Sequence, residues 1–212
     1  MIFMNYFSLL GLIFVLHLLA VSSPGPDFLL VIRNTMQSGK KAGSYTSLGI
    51  ALGIAVHILY SLTGIALLLK NNPGAFKTIK YLGAGYIMYL GIKTLQKKTQ
   101  KLSVDFDDEN ALSTNFNPLE MIKTGFLTNI LNPKASLFFL SIFSVIIPPD
   151  TPFYILTTII IMMFLTNYFW FYIVAHIFSR PKMILYYNRY ENILQKIFGI
   201  LLLLIGLEIF IF

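Results

Sequence analysis

Charge along this chain is confined to the gaps between long apolar runs, and that distribution restricts the fold more than any single motif. Helices packed in water carry a polar face, so charges recur within their length. Here Ile2–Ser23 and Phe153–Phe178 contain no Lys, Arg, Asp or Glu at all. The hydrophobic share is 56% and the charged share 12%, against roughly half and a quarter in ordinary globular domains. Mean hydropathy is +0.72. The chain therefore reads as an all-α polytopic membrane protein, because a helix satisfies its own backbone hydrogen bonds where lipid cannot.

Six segments approach the ~20 apolar residues that a bilayer core demands: Ile2–Ser23, Tyr45–Leu69, Ile79–Leu95, Met121–Ile147, Phe153–Phe178 and Leu194–Phe212. The fourth is unusual. Its continuous apolar part, Ala135–Ile147, is too short to cross alone, so it recruits Met121–Leu131. That draws Asn129, Asn132, Pro133 and Lys134 into or beside the membrane, where polar groups are costly unless they are buried in protein or line a cavity. Pro24-Gly25-Pro26 interrupts the first span region. It reads either as a break inside the membrane or as a plain turn at the end of span one.

Pro26 precedes the expected start of span two, Tyr45, by as many residues as Lys134 precedes Phe153. This predicts six transmembrane helices arranged as two inverted three-helix repeats with broken helices 1 and 4. Repeat one covers about 1–100 and repeat two about 116–212, in one transmembrane domain over 1–212. Halves of three spans must point in opposite directions, and helix breaks at corresponding positions mark a transporter's site. Arg33, Lys40 and Lys41, then Lys97, Lys98 and Lys101, then Arg180, Lys182 and Arg189 follow spans one, three and five. The positive-inside rule puts these segments in the cytoplasm and both termini outside. Lys70 and Lys77 vote the other way.

A helix that restarts after a break presents unpaired N–H groups and partial positive charge, which can hold a carboxylate. Asn132 suits the N-cap, Pro133 the first helical position, and Lys134 could add a full charge. Asp27 could pair with an ammonium or exchange a proton, since a carboxylate in a membrane cavity is costly. The candidate substrate-binding set is Pro24, Gly25, Pro26, Asp27, Asn129, Asn132, Pro133 and Lys134. Blander readings stand beside it: Asp27 as a helix cap, Lys134 snorkelling to headgroups. His17, His57 and His176 read as hydrogen-bonded packing residues, Asn167 and Trp170 either way, and Glu208 as an interface residue. Gly49 and Gly53, with Gly83, Gly85 and Gly91, mark close helix packing.

Several classes are excluded. The net charge of +7 comes without a basic helix or arm to track phosphates, so nucleic acid is not a partner. There is no cysteine, hence no disulfide, thiolate catalysis or Cys-held metal. No His-Glu-x-x-His or facing aspartate pair supports an embedded enzyme, and no cofactor or metal is expected. Asp105–Asn110 reads as a solvated acidic loop. With no Lys or Arg before Arg33, the N-terminal run reads as an uncleaved first span in preference to a signal peptide.

Three segments carry a family resemblance. Ser23-Pro24-Gly25-Pro26-Asp27 followed by Gly39, Gly43, Leu48-Gly49 and Gly53 resembles the N-terminal signature of the LysE/RhtB amino-acid exporters. Tyr81-Leu82-Gly83-Ala84-Gly85-Tyr86-Ile87-Met88-Tyr89-Leu90-Gly91 is similar to the family's third-helix pattern. Gly125-Phe126-Leu127-Thr128-Asn129-Ile130-Leu131-Asn132-Pro133-Lys134-Ala135 resembles its second signature. The resemblance implies a secondary transporter exporting amino acids or their derivatives across the bacterial cytoplasmic membrane, with protons as the expected coupling ion in antiport. Asp27 stands where the family often has Asn. The alternatives are a cation or metal exporter in which Asp27 binds the ion, or a membrane-embedded enzyme. Expected partners are the small-molecule substrate and the lipid bilayer, and a homo-oligomer is left open.

Overall fold

The computed structural model describes residues 6–71, 75–96, 116–148 and 150–211. Among them are seven helices and no strand: α1 (Tyr6–Ser22), α2 (Pro26–Asn71), α3 (Ala75–Gln96), α4 (Pro118–Ile130), α5 (Pro133–Val145), α6 (Phe153–Phe178) and α7 (Pro181–Ile211). By length and composition, Pro26–Thr63, Phe153–Phe178 and Lys182–Glu208 are able to cross a membrane. Pro118–Ile130 and Pro133–Phe143, bent by 60° at their junction, make a fourth if the pair counts as one span. α1 is shorter, at 17 residues.

Two connectors expected from charge are helical instead. Arg33, Lys40 and Lys41 lie on α2, which bends at Gly39 and continues. Gly39 has φ 82 and ψ 171, a conformation that only glycine adopts without strain. The second helical stretch resumes at Lys40, ahead of the expected Tyr45, so the equal spacing of the two breaks from their following spans does not hold. Lys182 and Arg189 lie on α7, whose Ile184, Tyr187, Glu191 and Gln195 recur at helical spacing and are buried. Charge on one face of a helix lowers its average hydropathy without ending it. Lys97, Lys98, Lys101 and the acidic cluster Asp105–Asn110 lie outside the described residues.

Glycines set the closest helix approaches. α2 lies along α4 and α6, and α3 along α7 and α5. A Cβ on Gly49 would strike the Ile122 carbonyl, and one on Gly125 the Thr46 carbonyl, so α2 and α4 touch backbone to backbone. Gly91 faces Leu203 and the Gly199 carbonyl, while Gly199 faces Leu95 and the Gly91 carbonyl. That contact is reciprocal. The helix-packing role expected of Gly49, Gly53 and Gly91 holds, whereas Gly85 faces open space. The apolar core has two main parts. One joins Leu16, Ile58, Phe139 and Ile159; the other joins Phe28, Val31, Phe171 and Tyr187.

Candidate functional site

The first break is buried over residues 22–24. α1 ends at Ser22 and α2 opens at Pro26, where a missing N–H costs nothing. Ser23 is 4% exposed and Pro24 is buried, Gly25 is half-buried and Pro26 is exposed, so the interruption runs from the interior out to the surface. The last carbonyls of a helix lack intrahelical donors, and here a cation supplies them. Lys134 Nζ, from the other break, donates to Ala20 O at 3.1 Å and Ser23 O at 3.0 Å. Positive charge at a helix C-terminus is favourable on electrostatic grounds as well.

The second break follows from Asn132-Pro133. Asn132 has an extended backbone, and its Oδ1 accepts from Lys134 N at 3.0 Å, so α5 starts with a side-chain cap and proline. Pro133 has no N–H, so Asn129 O loses its usual helical donor. Asn132 N at 3.0 Å and His57 Nε2 at 2.9 Å take that role. A carbonyl only accepts, hence Nε2 bears the proton, and in the singly protonated ring Nδ1 accepts from Tyr60 Oη at 2.8 Å. The imidazole is stacked on Phe139, the ring planes parallel to within 2°. His57 is thus the hydrogen-bonded packing residue expected of it.

The breaks meet at Asp27. Its Oδ2 accepts from Asn129 Nδ2 at 2.8 Å and from Asn132 Nδ2 at 3.2 Å. Its Oδ1 is buried and has no hydrogen-bond partner. Gly25, Asp27, Asn129, Asn132 and Lys134 all line one cavity, with Phe28, Ile54, Phe138, Phe139 and Phe171 forming its apolar wall. Pro24, Pro26 and Pro133 shape the breaks without lining it. The space open to a water centre is about 40 Å³. One water needs about 10–15 Å³ on that measure, so the cavity as described holds a few waters and no larger guest.

Two further polar residues reach this cavity: His17 from α1 and Asn167 from α6. Neither ring nitrogen of His17 makes a well-formed hydrogen bond, and the Met163 backbone lies beside the ring, so the hydrogen-bonded packing expected of it rests on one loose contact. Asn167, which read either way, lines the cavity with Oδ1 unpartnered. No local pattern in α1 distinguishes His17 from a core residue; only its neighbours do. His176 lies away from the cavity, with Nδ1 bonded to Tyr172 O. Trp170 Nε1 is buried without a partner, and Glu208 is exposed. Among the described residues, no group of three His, Cys, Asp or Glu side chains could hold a metal ion.

This arrangement has relatives. A chain from Bacillus subtilis described as an uncharacterized membrane protein, YrhP, is 32% identical over 193 residues, covering 87% of this chain and 90% of its own. A Haemophilus influenzae membrane protein, also uncharacterized, is 31% identical over 91% of both chains. A leucine efflux protein of Salmonella choleraesuis is 33% identical over 162 residues, covering 73% of this chain and 71% of its own. No solved structure matches. The family model described as LysE type translocator matches residues 18–211, and so the chain belongs to the LysE type translocators, a family of multi-pass membrane transporters and not of enzymes.

Proposed function

We propose that this chain is a secondary transporter that exports amino acids or close derivatives across the bacterial cytoplasmic membrane, in antiport with protons. The observation that carries the reading is the unpartnered Asp27 Oδ1, buried in a cavity walled by both helix breaks. A carboxylate oxygen so held can accept a substrate ammonium or a proton, and exchange between the two is what antiport needs. The first turn of α5, at Lys134 and Ala135, offers a positive helix end to the substrate carboxylate. The wall of Phe138, Phe139 and Ile54 suits an apolar side chain, and one relative carries the name leucine efflux protein. The substrate-binding set is therefore Pro24, Gly25, Pro26, Asp27, Asn129, Asn132, Pro133 and Lys134, the prolines acting by shaping the breaks.

The architecture that goes with it is one transmembrane domain of six spans in two inverted repeats, about 1–100 and 116–212. Two observations support this. Pro26-Asp27 and Pro133-Lys134 open helices directly after the two breaks, and α3 meets α7 through the reciprocal Gly91–Gly199 contact. A twofold axis in the membrane plane produces such contacts between equivalent, oppositely directed helices. The cavity is too small for an amino acid as described, so it has to widen toward each side in turn.

The test is transport by purified protein in liposomes under an imposed proton gradient, across a panel of labelled amino acids and divalent cations. Leucine or another apolar amino acid should move against its gradient, and Asp27→Ala should stop it while the protein still inserts. Movement of a divalent cation with no amino acid flux would replace this reading with the cation-export alternative.

A further inference from the structure

The cavity holds more buried polar atoms than that reading uses. Asp27 Oδ1, Asn129 Oδ1, Asn167 Oδ1 and the His17 ring are buried without well-formed hydrogen bonds, the Met163 backbone lying beside one side of that ring. Native interiors leave few such atoms, and each one calls for a reason. For Asn129 the reason is local, because Oδ1 fills the notch that Gly53 leaves on α2. His17, Asp27 and Asn167 have no such account. They come from three helices, α1, α2 and α6, and line the same cavity.

What these atoms share is that they accept. Asp27 Oδ1 and Asn167 Oδ1 are oxygen acceptors with no hydrogen to give. The Met163 backbone lies within reach of His17, and a ring proton directed there leaves the second nitrogen as an acceptor. His17 also sits beside Phe138 and Phe139, at 6.3 and 5.8 Å between ring centres. The one lysine on the cavity wall has its ammonium on the carbonyls of Ala20 and Ser23. A ligand that matches this set brings donors and no acceptor. A primary ammonium brings three.

We propose that His17 and Asn167 complete, together with Asp27, a three-point site for an unsubstituted primary ammonium group. The transporter then selects substrates whose α-amino nitrogen carries all its hydrogens. The inference rests on the amino-acid export reading and names the part of the substrate that is recognised. It gives two residues outside both helix breaks, one on α1 and one on α6, a direct contact with the cargo.

Competition in liposomes tests it, using the amino acid that the unaltered protein carries best and its N-methyl and N,N-dimethyl forms. Each lost N–H should weaken competition roughly ten- to a hundredfold, the range expected for a charge-assisted hydrogen bond. His17→Phe and Asn167→Leu, which keep bulk and remove the acceptors, should weaken the parent amino acid by a similar factor. They should also narrow its advantage over the N-methyl form, a change that a purely structural role does not produce. Equal competition by parent and N-methyl amino acid in the unaltered protein overturns the site and leaves amino-acid export standing. That measurement needs no variant, so misfolding cannot mask it. Full discrimination retained in both variants overturns it equally. Absence of any amino-acid flux in the unaltered protein sinks the export reading, and this one with it.

Discussion

Asp27 and Lys134 hold the same place in two helix starts, each directly after the proline that opens its helix, and each reaches across to the other break. Asp27 gathers the side-chain amides of Asn129 and Asn132. Lys134 covers the carbonyls of Ala20 and Ser23. The charges are opposite because the tasks are. One side chain must collect donors, and the other must satisfy acceptors that a helix end leaves exposed.

Removing the lysine should therefore show first as lost stability. Lys134→Met leaves two buried carbonyls without their cation, at a cost of about 1.5–3 kcal/mol for a charge-assisted contact. The purified variant should melt at lower temperature than its parent, with Lys134→Arg falling between them. A Met variant that melts like the parent would show that the cap contributes nothing to the fold.

Substitution at Asp27 separates shape from charge. Asp27→Asn retains an oxygen to accept from Asn129, so the protein should insert and fold, yet its transport should lose its response to an imposed proton gradient. Asp27→Ala should not transport at all. If flux through Asp27→Asn tracks the gradient as the parent does, the carboxylate is a cap and the proton travels elsewhere.

Glycine positions give graded expectations. Gly49→Ala and Gly125→Ala each drive a Cβ into backbone, where nothing yields easily, and should cost about 1–3 kcal/mol as overpacking does. Gly85→Ala meets no atom within 4 Å and should stabilise α3 by up to about 1 kcal/mol, the helix-propensity difference. Thermal unfolding of the three variants, prepared side by side, checks the order.

Gly39 calls for a different argument, since its surroundings are also open within 4 Å. The obstacle there is the backbone itself at φ 82. Gly39→Ala should lose about 1–3 kcal/mol from strain alone. A melting temperature equal to the parent's would mean that α2 straightens to absorb the change.

The breaks were legible because their residues act locally. Asn132 caps, Pro133 removes a donor, and Pro24 and Pro26 end one helix and start another, all within a few positions. The lengths of α2 and α7 were not, because Arg33 and Arg189 look like span boundaries to any average over hydropathy. A helix whose buried positions are Ile184, Tyr187, Glu191 and Gln195 continues regardless. The candidate residues of the site could be named from sequence, but not their partners. Lys134 meets carbonyls 111 and 114 positions away in the chain, and no nearby pattern records that. His17 is harder still. What sets it apart is a ring left without a well-formed bond, which appears only once α5 and α6 are packed around it.

The glycine seams determine which pieces are free to move. Where Gly49 lies on the backbone of α4, and Gly91 and Gly199 bring α3 and α7 together with only Leu95 and Leu203 beside them, little side chain is left to rotate or compress. Each pair behaves as a welded plank, and each plank takes one timber from either half of the chain. Rocking one half against the other would split both welds. The looser joint belongs to α1, which packs by side chains such as Leu16 against α5 and α6 and is capped at its end by Lys134. The door of this molecule, on that account, is hung on Lys134.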